Sequence, residues 1–295
     1  MSSENDSESL PAGLYLVATP IGNLQDITLR ALAVLRAADV VLAEDTRRTR
    51  KLLTHYEIRT PLKSLHDHNE RAQATRLAER VAAGERLALV SDAGTPLISD
   101  PGHSLVAAML DAGVEVVPIP GPSSLLAALI GSGLAVDRFT FCGFLPRKVA
   151  ARRRLLESLA GEPGTLVFLE SPRRLARSLA DAAEVLGERR VAVGRELTKM
   201  HEEFIRGTLP EVAARFADTG VLGEVTVCVA GASVVTPGAA SAGKPLDRHD
   251  LDRAFAQLLE EGTPRNEALK ALARRHGVPR REIYRALLVE EEETR

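Results

Sequence analysis

Three loops rich in glycine and proline give the first indication of chemistry in this sequence. Each follows a short apolar run, and the loops read VATPIGN at 17–23, VSDAGTPLISDPG at 90–102 and PIPGPSS at 118–124. Glycine lets a ligand approach the backbone and proline stiffens a turn, so such loops at strand ends suit a ligand-binding crevice. Any one of them could be an ordinary strand-to-helix turn, but three together predict a single cleft.

Several common catalytic motifs do not occur. The sequence has no Gly-Lys-Ser/Thr loop and no Gly-x-Gly-x-x-Gly after the first apolar run, so ATP or dinucleotide binding is not indicated. It has no Gly-x-Ser-x-Gly elbow or Cys/His pairing for hydrolysis through a covalent intermediate. His66 and His68 precede a helical segment, where a capped turn explains them better than a metal, so we predict no metal site.

Basic residues cluster in two segments. The first group contains Arg47, Arg48, Arg50 and Lys51. The second contains Arg147, Lys148, Arg152, Arg153 and Arg154, with no acidic residue among positions 147–154. Each group is explained either by contact with nucleic-acid phosphates or by a solvated helical face.

The elements that must position these residues follow from the hydrophobic pattern. Apolar runs at 14–18, 40–43, 87–90 and 114–119 predict strands, and helical periodicity appears at 28–37, 46–54, 70–83 and 103–111. This alternation predicts an α/β layer with a largely parallel sheet. A second set comprises strands at 139–143, 166–169, 191–193 and 225–230 and helices at 150–159, 172–186 and 210–216, with Ser171 as cap and Pro172 in the first turn.

The expected domain organisation has five parts. Residues 1–12 are expected to be a disordered lead-in that lacks the pattern of a secretory signal. Two α/β lobes follow at 13–120 and 121–232, joined near 120–133, which would place the third loop at their interface. A small-residue linker at 233–246 leads to a helical tail at 247–295.

The tail has a helix-turn-helix pattern. Helical periodicity appears at 251–260, 265–275 and 280–289, with Gly277 between the last two segments. From Arg265 to Arg285 there are seven basic residues and two acidic ones. Two explanations account for this charge equally well. One is a solvated surface, and the other is contact with nucleic acid through Arg274, Arg275, Arg280 and Arg281.

Composition narrows the functional class. Of the 295 residues, 45% are hydrophobic and 26% charged, which is typical of a globular protein, and the length favours two domains. Aromatic residues make up only 3%, Trp is absent and the net charge is −2, so neither a broad stacking platform nor a global nucleic-acid signature is present. Cys142 and Cys228 lie in apolar runs, as expected of buried thiols in a reducing cytoplasm. No apolar run approaches the length of about 18 residues that a membrane span needs.

Seven motifs in a fixed order make the sequence recognisable. They are PIGNLQDIT at 20–28, AEDTRRT at 43–49, SDAGTPLISDPG at 91–102, PGPSS at 120–124, GFLPRK at 143–148, ESPRR at 170–174 and GRELTK at 194–199. Together they closely resemble the ribosomal RNA small subunit methyltransferase I family, which belongs to the tetrapyrrole methylase superfamily. The resemblance covers roughly residues 13–231 and, with the helical tail, nearly the whole chain.

The resemblance implies an S-adenosylmethionine-dependent enzyme that methylates the ribose 2′-hydroxyl of a cytidine in the decoding region of 16S rRNA. It also implies two α/β lobes with the cofactor in the cleft between them, and a homodimer acting on 16S rRNA or the small ribosomal subunit. The superfamily's Gly-Asp-Pro is replaced here by Gly94-Thr95-Pro96, as in the ribosomal branch. The cofactor contacts that the motifs imply are Pro20, Ala93, Gly94, Thr95, Ile98, Ser123, Ser124, Leu169 and Ala230.

Methyl transfer to a hydroxyl also needs a group that removes a proton. The candidates are Glu44, Asp45, Asp100, Lys148 and Glu170, and the sequence does not choose among them. RNA contacts are expected from Arg47, Arg48, Arg147, Lys148, Arg152, Arg153 and Arg154 and from the four tail arginines. The alternatives are a porphyrin-type small-molecule C-methyltransferase, and a nucleic-acid-binding regulator that uses the tail.

Overall fold

The computed structural model describes residues 10–217, 223–232 and 248–276, together with residues 283, 284 and 287. For residues 67, 68, 248–250 and 274–276 it describes the backbone only. The chain divides into two compact units after residue 232. Most of the predicted lead-in and the whole of the predicted linker lie outside the described residues.

The first sheet is parallel throughout. Its five strands lie in the order β3-β2-β4-β1-β5. Because the strands are parallel, the loops that leave their carboxyl ends all lie at one edge of the sheet. The sequence pattern missed β3, whose three residues are too few to show alternation. The strands are β1 (Gly13–Val17), β2 (Val40–Ala43), β3 (Leu62–Ser64), β4 (Arg86–Val90) and β5 (Val116–Ile119).

Helices cover both faces of this sheet because the strand residues alternate between two cores. Tyr15 and Val17 pack with residues of α1 and α2, whereas Leu14 packs with residues of α3 and α4. The side chain of Thr28 caps α1 and that of Asp45 caps α2, each by accepting a backbone N–H. The helices are α1 (Leu29–Ala37), α2 (Thr46–His55), α3 (Asp67–Ala82) and α4 (His103–Asp111).

The second sheet is mixed. Its strands lie in the order β6-β7-β10-β8-β9, and β6 and β7 form its parallel pair while the other neighbours are antiparallel. The two sheets with their helices confirm the predicted α/β architecture of two lobes. The elements are α5 (Ser124–Ser132), β6 (Phe139–Phe144), α6 (Val149–Ser158), β7 (Thr165–Glu170), α7 (Leu175–Leu186), β8 (Arg190–Arg195), β9 (Glu203–Thr208), α8 (Leu209–Ala217) and β10 (Val225–Val229).

Three features of this lobe differ from the sequence-based prediction. Helix α5, which packs with Val167 and Cys228 on one face of the sheet, and strand β9 were not predicted. Helix α7 begins at Leu175, and Ser171 does not cap it. The backbone carbonyl of Ser171 instead accepts the N–H of Arg174 at 2.9 Å and closes a turn ahead of the helix. The prediction that Ser171 caps this helix is therefore wrong.

The cysteines are free thiols, as predicted. Cys228 is buried in β10, and Cys142 is partly buried in β6. Burial raises the pKa of the Cys228 thiol to about 12. Burial likewise raises the pKa of Cys142, so neither thiol is activated as a nucleophile.

The second unit contains two described helices, α9 (Arg248–Glu260) and α10 (Arg265–His276). Leu251, Leu269, Leu272 and Ile283 form its buried core. Gly277, Arg280 and Arg281 lie outside the described residues, as do the side chains of Arg274 and Arg275. Across the part of the chain that the structure describes, no helix combines the length and apolar character needed to cross a membrane.

Candidate functional site

A cleft of about 400 Å³ lies where the carboxyl edge of the first sheet meets the second sheet. The lining comes from the loops after β1, β2, β4 and β5 on one side, and from β6, the end of β7, the loop after β8 and the start of β10 on the other. Ligands of open parallel sheets bind at this edge, because loops from several strands converge there. The three glycine- and proline-rich loops therefore share one site: Ile21 from the first, Asp92–Thr95 and Ile98–Asp100 from the second, and Ser123–Leu125 from and just after the third.

Backbone hydrogen bonds fasten these loops to one another at Gly94. Thr19 and Gly94 exchange two N–H to carbonyl bonds of 2.9 Å, which join the loops after β1 and β4. Ser91 Oγ donates to the Gly94 carbonyl at 2.8 Å. Thr95 Oγ1 donates to the Pro122 carbonyl at 3.3 Å and links the loop after β5. The three loops are consequently held together by the protein's own hydrogen bonds.

Backbone strain is concentrated beside the cleft. Among the described residues, five other than glycine have a positive φ, and four of these belong to two loops that line the cleft. Residues with this conformation cost roughly 1–3 kcal/mol each, and they cluster at ligand sites where the surroundings hold them in place. The four are Leu97 (φ 71°), Ser99 (φ 70°), Glu196 (φ 50°) and Thr198 (φ 65°).

A buried carboxylate holds the far end of the β4 loop. Glu70 on α3 is 5% exposed and accepts the backbone N–H groups of Gly102 at 3.0 Å and Leu105 at 2.9 Å. These groups are at the amino terminus of α4, where a negative charge is favourable. Glu70 thus fixes the loop that carries Leu97 and Ser99, a role that its position in the sequence did not reveal.

The cleft lining is acidic. Five carboxylate residues and one basic residue, Arg48, contribute to it. Arg48 lies 3.6 Å from Asp92, which also accepts the backbone N–H of Asp45 at 2.9 Å. Glu170 and Glu224 are paired with Arg174 and Lys199, so the net negative charge of the lining is smaller than the count of carboxylates, and it disfavours an anionic ligand more than a cationic one. The five carboxylates are Glu44, Asp92, Asp100, Glu170 and Glu224.

Seven of the nine predicted cofactor residues line this cleft: Ala93, Gly94, Thr95, Ile98, Ser123, Ser124 and Leu169. Pro20 lines a smaller adjoining cavity of about 120 Å³. Ala230 does not line the cleft, because β10 runs antiparallel to β7 and carries Ala230 to the opposite edge of the sheet. Strand β10 contributes Val225 and Thr226 from its other end, which corrects the placement of Ala230.

The five candidate bases lie in different environments. Glu44 and Asp100 line the cleft. Asp45 caps α2, and hydrogen bonds from Arg47 lower its pKa to about 2, which makes it a weak base. Lys148 is an exposed residue at the start of α6 and is not part of the cleft lining.

Glu170, the fifth candidate, is fully engaged in hydrogen bonds. Its carboxylate is buried, and Oε1 accepts the backbone N–H of Ser171 at 2.7 Å. Oε2 accepts from Ser178 Oγ at 2.5 Å and from Arg174 Nη2 at 3.1 Å. Arg174 in turn donates to the Leu145 carbonyl at 2.5 Å. Glu170 therefore joins the cleft wall to the loop that follows β6.

The two basic groups differ in exposure. Arg47 and Arg48 are exposed on α2 beside the cleft, and Arg147 and Lys148 are exposed after β6. Arg152 was predicted to contact RNA, but its side chain is 4% exposed and lies 2.5 Å from Asp181. That prediction is wrong, because the pairing acid comes from α7 and is invisible in the local sequence.

Arg153 is also committed to acidic partners. It pairs with Asp181 at 2.8 Å and with Glu184 at 2.5 Å. Arg154 is exposed on the same helix. The predicted second basic group is thus reduced to Arg147, Lys148 and Arg154 as residues exposed for contact with a polyanion.

Sequence reasoning missed several residues of the cleft. Ser99 lies inside the motif at 91–102, so the sequence already indicated that it is close to the site. Phe144 and Leu197 also lie inside such motifs, whereas Glu224 carried no signal of its own, because its approach to the cleft depends on the packing of the second sheet. The cleft residues without a prior functional prediction include Ile21, Asp92, Ser99, Phe141, Phe144, Ser171, Leu197, Glu224, Val225 and Thr226.

Comparison with known proteins adds to this geometry. Residues 13–213 match the family of tetrapyrrole (corrin/porphyrin) methylases. The chain is 48% identical over 287 residues to ribosomal RNA small subunit methyltransferase I of Mesorhizobium japonicum, covering 97% of this chain and 94% of that protein. It is 47% identical over 281 residues to the protein of the same name from Synechocystis sp., covering 93% and 97%.

Solved structures share the fold. One is the uroporphyrin-III C-methyltransferase of Thermus thermophilus, crystallised with S-adenosylhomocysteine. It superposes with a TM-score of 0.52 at 23% identity, covering 73% of this chain and 96% of that one. At this identity the likeness establishes the two-lobed fold.

Proposed function

We propose that this chain, which belongs to the tetrapyrrole methylase family and within it to the ribosomal RNA small subunit methyltransferase I group, methylates small-subunit ribosomal RNA with S-adenosylmethionine as methyl donor. The observation that carries the proposal is the acidic cleft, formed by loops fastened at Gly94, with exposed basic residues of α2 beside it. One surface suits a cationic sulfonium, and the other suits a polyanion.

The cleft residues fit the methyl donor by their chemistry. The backbone groups of Ala93 and Thr95 and the hydroxyls of Ser123 and Ser124 offer hydrogen-bonding groups for an adenosine and a methionine. Ile98 and Leu169 supply an apolar wall. When bound, S-adenosylmethionine supplies an electrophilic methyl group that is activated by its positive charge.

We propose Glu44 or Asp100 as the group that accepts the proton of the ribose 2′-hydroxyl. Both line the cleft, whereas Asp45 and Lys148 do not, and the carboxylate of Glu170 is buried. Replacing the true base, as Glu44→Gln or Asp100→Asn, should lower the rate of methyl transfer by roughly 10²- to 10⁴-fold. Affinity for S-adenosylmethionine measured by calorimetry separates loss of chemistry from loss of binding.

The finer substrate assignment is a cytidine ribose in the decoding region of 16S rRNA. Exposed Arg47, Arg48, Arg147 and Lys148 support phosphate contacts near the cleft. We further propose that the tail, at 247–295 behind a linker at 233–246, adds RNA affinity through its basic residues. A chain ending at residue 233 should then need more RNA to reach half-maximal rate, while binding S-adenosylmethionine as before.

We also propose a second copy of the chain as partner. Leu126 and Ile130 are one turn apart on α5 and are 50% and 74% exposed, an apolar pair that a homodimer would cover. Replacement of Ile130 by Lys should shift the sedimentation coefficient from dimer to monomer. If the wild-type protein and the Ile130→Lys variant both sediment as monomers, the proposed dimer is contradicted.

The direct test uses tritiated S-adenosylmethionine and small subunits from cells that lack this methylation. Label should enter the 16S rRNA. The phosphodiester bond after the labelled cytidine should resist alkaline cleavage, since a 2′-O-methyl group blocks attack on the adjacent phosphate. In a parallel reaction with an added tetrapyrrole, label in the tetrapyrrole but none in RNA would favour a porphyrin-type enzyme. Specific nucleic-acid binding without any transfer would favour a regulator.

The cofactor site has its own test at Gly94. Its φ is 82°, and an added Cβ would lie 3.2 Å from Ile21 Cγ2. Gly94→Val should therefore eliminate calorimetric binding of S-adenosylmethionine. Gly113→Val is the matched control, because Gly113 has a φ of 68° with no atom within 4 Å of a Cβ, so it shares the backbone strain but not the crowding.

Gly121, in the third glycine- and proline-rich loop, packs against the end of β1. A Cβ at this position would point at Ala18, 3.0 Å from its Cβ, and not into the cleft. A side chain there would press on the end of β1. We therefore expect Gly121→Val to lower stability first and cofactor binding only as a consequence.

A further inference from the structure

Phe144 stands at the edge of the cleft with much of its ring exposed. It is the last residue of β6, lines the cleft and is 56% exposed. The other aromatic residue of the lining, Phe141, packs against the core formed by α5 and the second sheet. A single exposed apolar side chain is common on protein surfaces, so exposure alone does not indicate a function for Phe144. Its placement by the strand is the informative observation.

A β-bulge directs Phe144 to the cleft side. Phe141 pairs with Val167 and Phe144 pairs with Leu169, so three steps along β6 match two steps along β7. Gly143, inside the bulge, has a φ of 61°. In a regular strand, residues three apart lie on opposite faces, but the extra residue brings Phe144 to the same face as Phe141 and the cleft residue Leu169.

The segment after Phe144 is fixed by two arginines. Arg174 Nη2, held by Glu170, donates to the Leu145 carbonyl at 2.5 Å. Arg152 Nη1, whose side chain is held by Asp181, donates to the Pro146 carbonyl at 3.2 Å. This segment ends in the exposed Arg147 and Lys148. An aromatic ring and two cations are therefore presented on a rigid support at the cleft edge.

We propose that Phe144 is the stacking surface for the base of the nucleotide whose ribose enters the cleft, and that Arg147 and Lys148 contact its flanking phosphates. This inference rests on the proposed function. A ribose inside an RNA helix cannot reach a buried methyl donor, so its nucleotide must leave the stack, and an exposed aromatic ring replaces the lost stacking. Rigid support lowers the entropic cost of that contact.

The first experiment removes the ring in the full-length protein. Phe144→Ala should weaken RNA binding by roughly 5- to 150-fold, the range found for loss of one base-stacking side chain. Phe144→Tyr should restore it, because the tyrosine ring stacks equally well. The matched control is Phe139→Ala, at the other end of the same strand, 40% exposed and outside the cleft lining. Equal effects of the two alanine variants would overturn the proposal.

The second experiment uses the absence of tryptophan from the sequence. Phe144→Trp creates a single indole whose fluorescence should be quenched when substrate RNA is added, whereas Phe139→Trp should not respond. Quenching of Phe144→Trp by S-adenosylmethionine alone would place the ring against the cofactor and overturn the proposal. A change with protein concentration but not with RNA would assign the ring to a contact between copies, which also overturns it.

The two levels of inference fail separately. If the wild-type protein transfers no label to 16S rRNA, the proposed function fails, whatever the variants do. If the wild-type protein methylates RNA and Phe144→Ala matches it in RNA affinity and rate, only the stacking role fails.

Discussion

Helices α2 and α6 carry similar clusters of basic residues in the sequence, yet the fold uses them differently. On α2, Arg47 is 88% exposed and Arg48 is 60% exposed, and both lie beside the cleft. On α6, Arg152 is 4% exposed and is paired with Asp181, while Arg153 bridges Asp181 and Glu184. One cluster faces solvent, and much of the other fastens α6 to α7.

The contrast shows that local charge does not establish an electrostatic surface. The residues that neutralise α6 lie 28 or more positions away, on another helix, whereas the partners of Arg47 and Arg48 are carboxylates at or beside the cleft. Phosphate contacts require cations whose charge is accessible to the ligand. We therefore keep α2 as the proposed nucleic-acid face, whereas the paired arginines of α6 belong to the structure of the second lobe.

The largest expected effect is loss of stability when the buried pair on α6 is broken. Arg152→Gln leaves the buried Asp181 with the more exposed Arg153 as its ionic partner, and removal of one member of a buried ion pair costs up to roughly 3–5 kcal/mol. Urea unfolding should show a correspondingly lower midpoint. Arg154→Gln, on the exposed side of α6, serves as control and should leave the midpoint nearly unchanged. Similar stability of both variants would remove the distinction between the two helices.

The next effect concerns RNA binding by α2. The double variant Arg50→Gln and Lys51→Gln should bind RNA more weakly and lower the slope of log affinity against log salt by roughly one for each lost phosphate contact. Affinity for S-adenosylmethionine should not change. Arg153→Gln is the comparison from α6, and its salt slope should equal that of the wild-type protein. A steeper loss for Arg153→Gln than for the α2 variant would reverse our assignment.

The contribution of the Arg152–Asp181 pair to stability should depend on pH, because Asp181 titrates in acid. Burial alone would raise the pKa of Asp181, but hydrogen bonds from Arg152 and Arg153 outweigh it and hold the pKa below its usual value of 3.8. A lowered pKa in the folded state means that Asp181 contributes stability above about pH 4 and loses it as the pH falls through the folded-state value. Urea midpoints between pH 6 and pH 3 should therefore fall less steeply in Asp181→Asn than in the wild-type protein. Parallel curves would show that the ion pair between Arg152 and Asp181 does not control the loss of stability at low pH.

The smallest effect is expected at the start of α2. Asp45→Asn keeps an oxygen that accepts the backbone N–H of Arg47, so the helix cap survives. Because hydrogen bonds from Arg47 already lower the pKa of Asp45 to about 2, the carboxylate is a poor base and the variant should methylate RNA within about twofold of the wild-type rate. A loss of two orders of magnitude in the single-turnover rate would restore Asp45 as the catalytic base.

The sequence alone determined the features that arise from local patterns. Strand β2 and helix α4 occupy the predicted residues 40–43 and 103–111, because apolar periodicity reports which face of a short segment is buried. Three glycine- and proline-rich loops predicted a cleft, and parallel strands do bring them to one edge. The ordered motifs identified the family.

Tertiary structure decided what depends on partners distant in the sequence. The sequence did not show that Asp181 on α7 would neutralise Arg152, that Glu70 would clamp the β4 loop, or that an antiparallel β10 would carry Ala230 away from the cleft. The bulge that directs Phe144 also follows from pairing with β7. Hydrophobic periodicity encodes which face of an element is buried, but the neighbour that covers that face, and the charges it brings, are fixed only when the sheets and helices assemble.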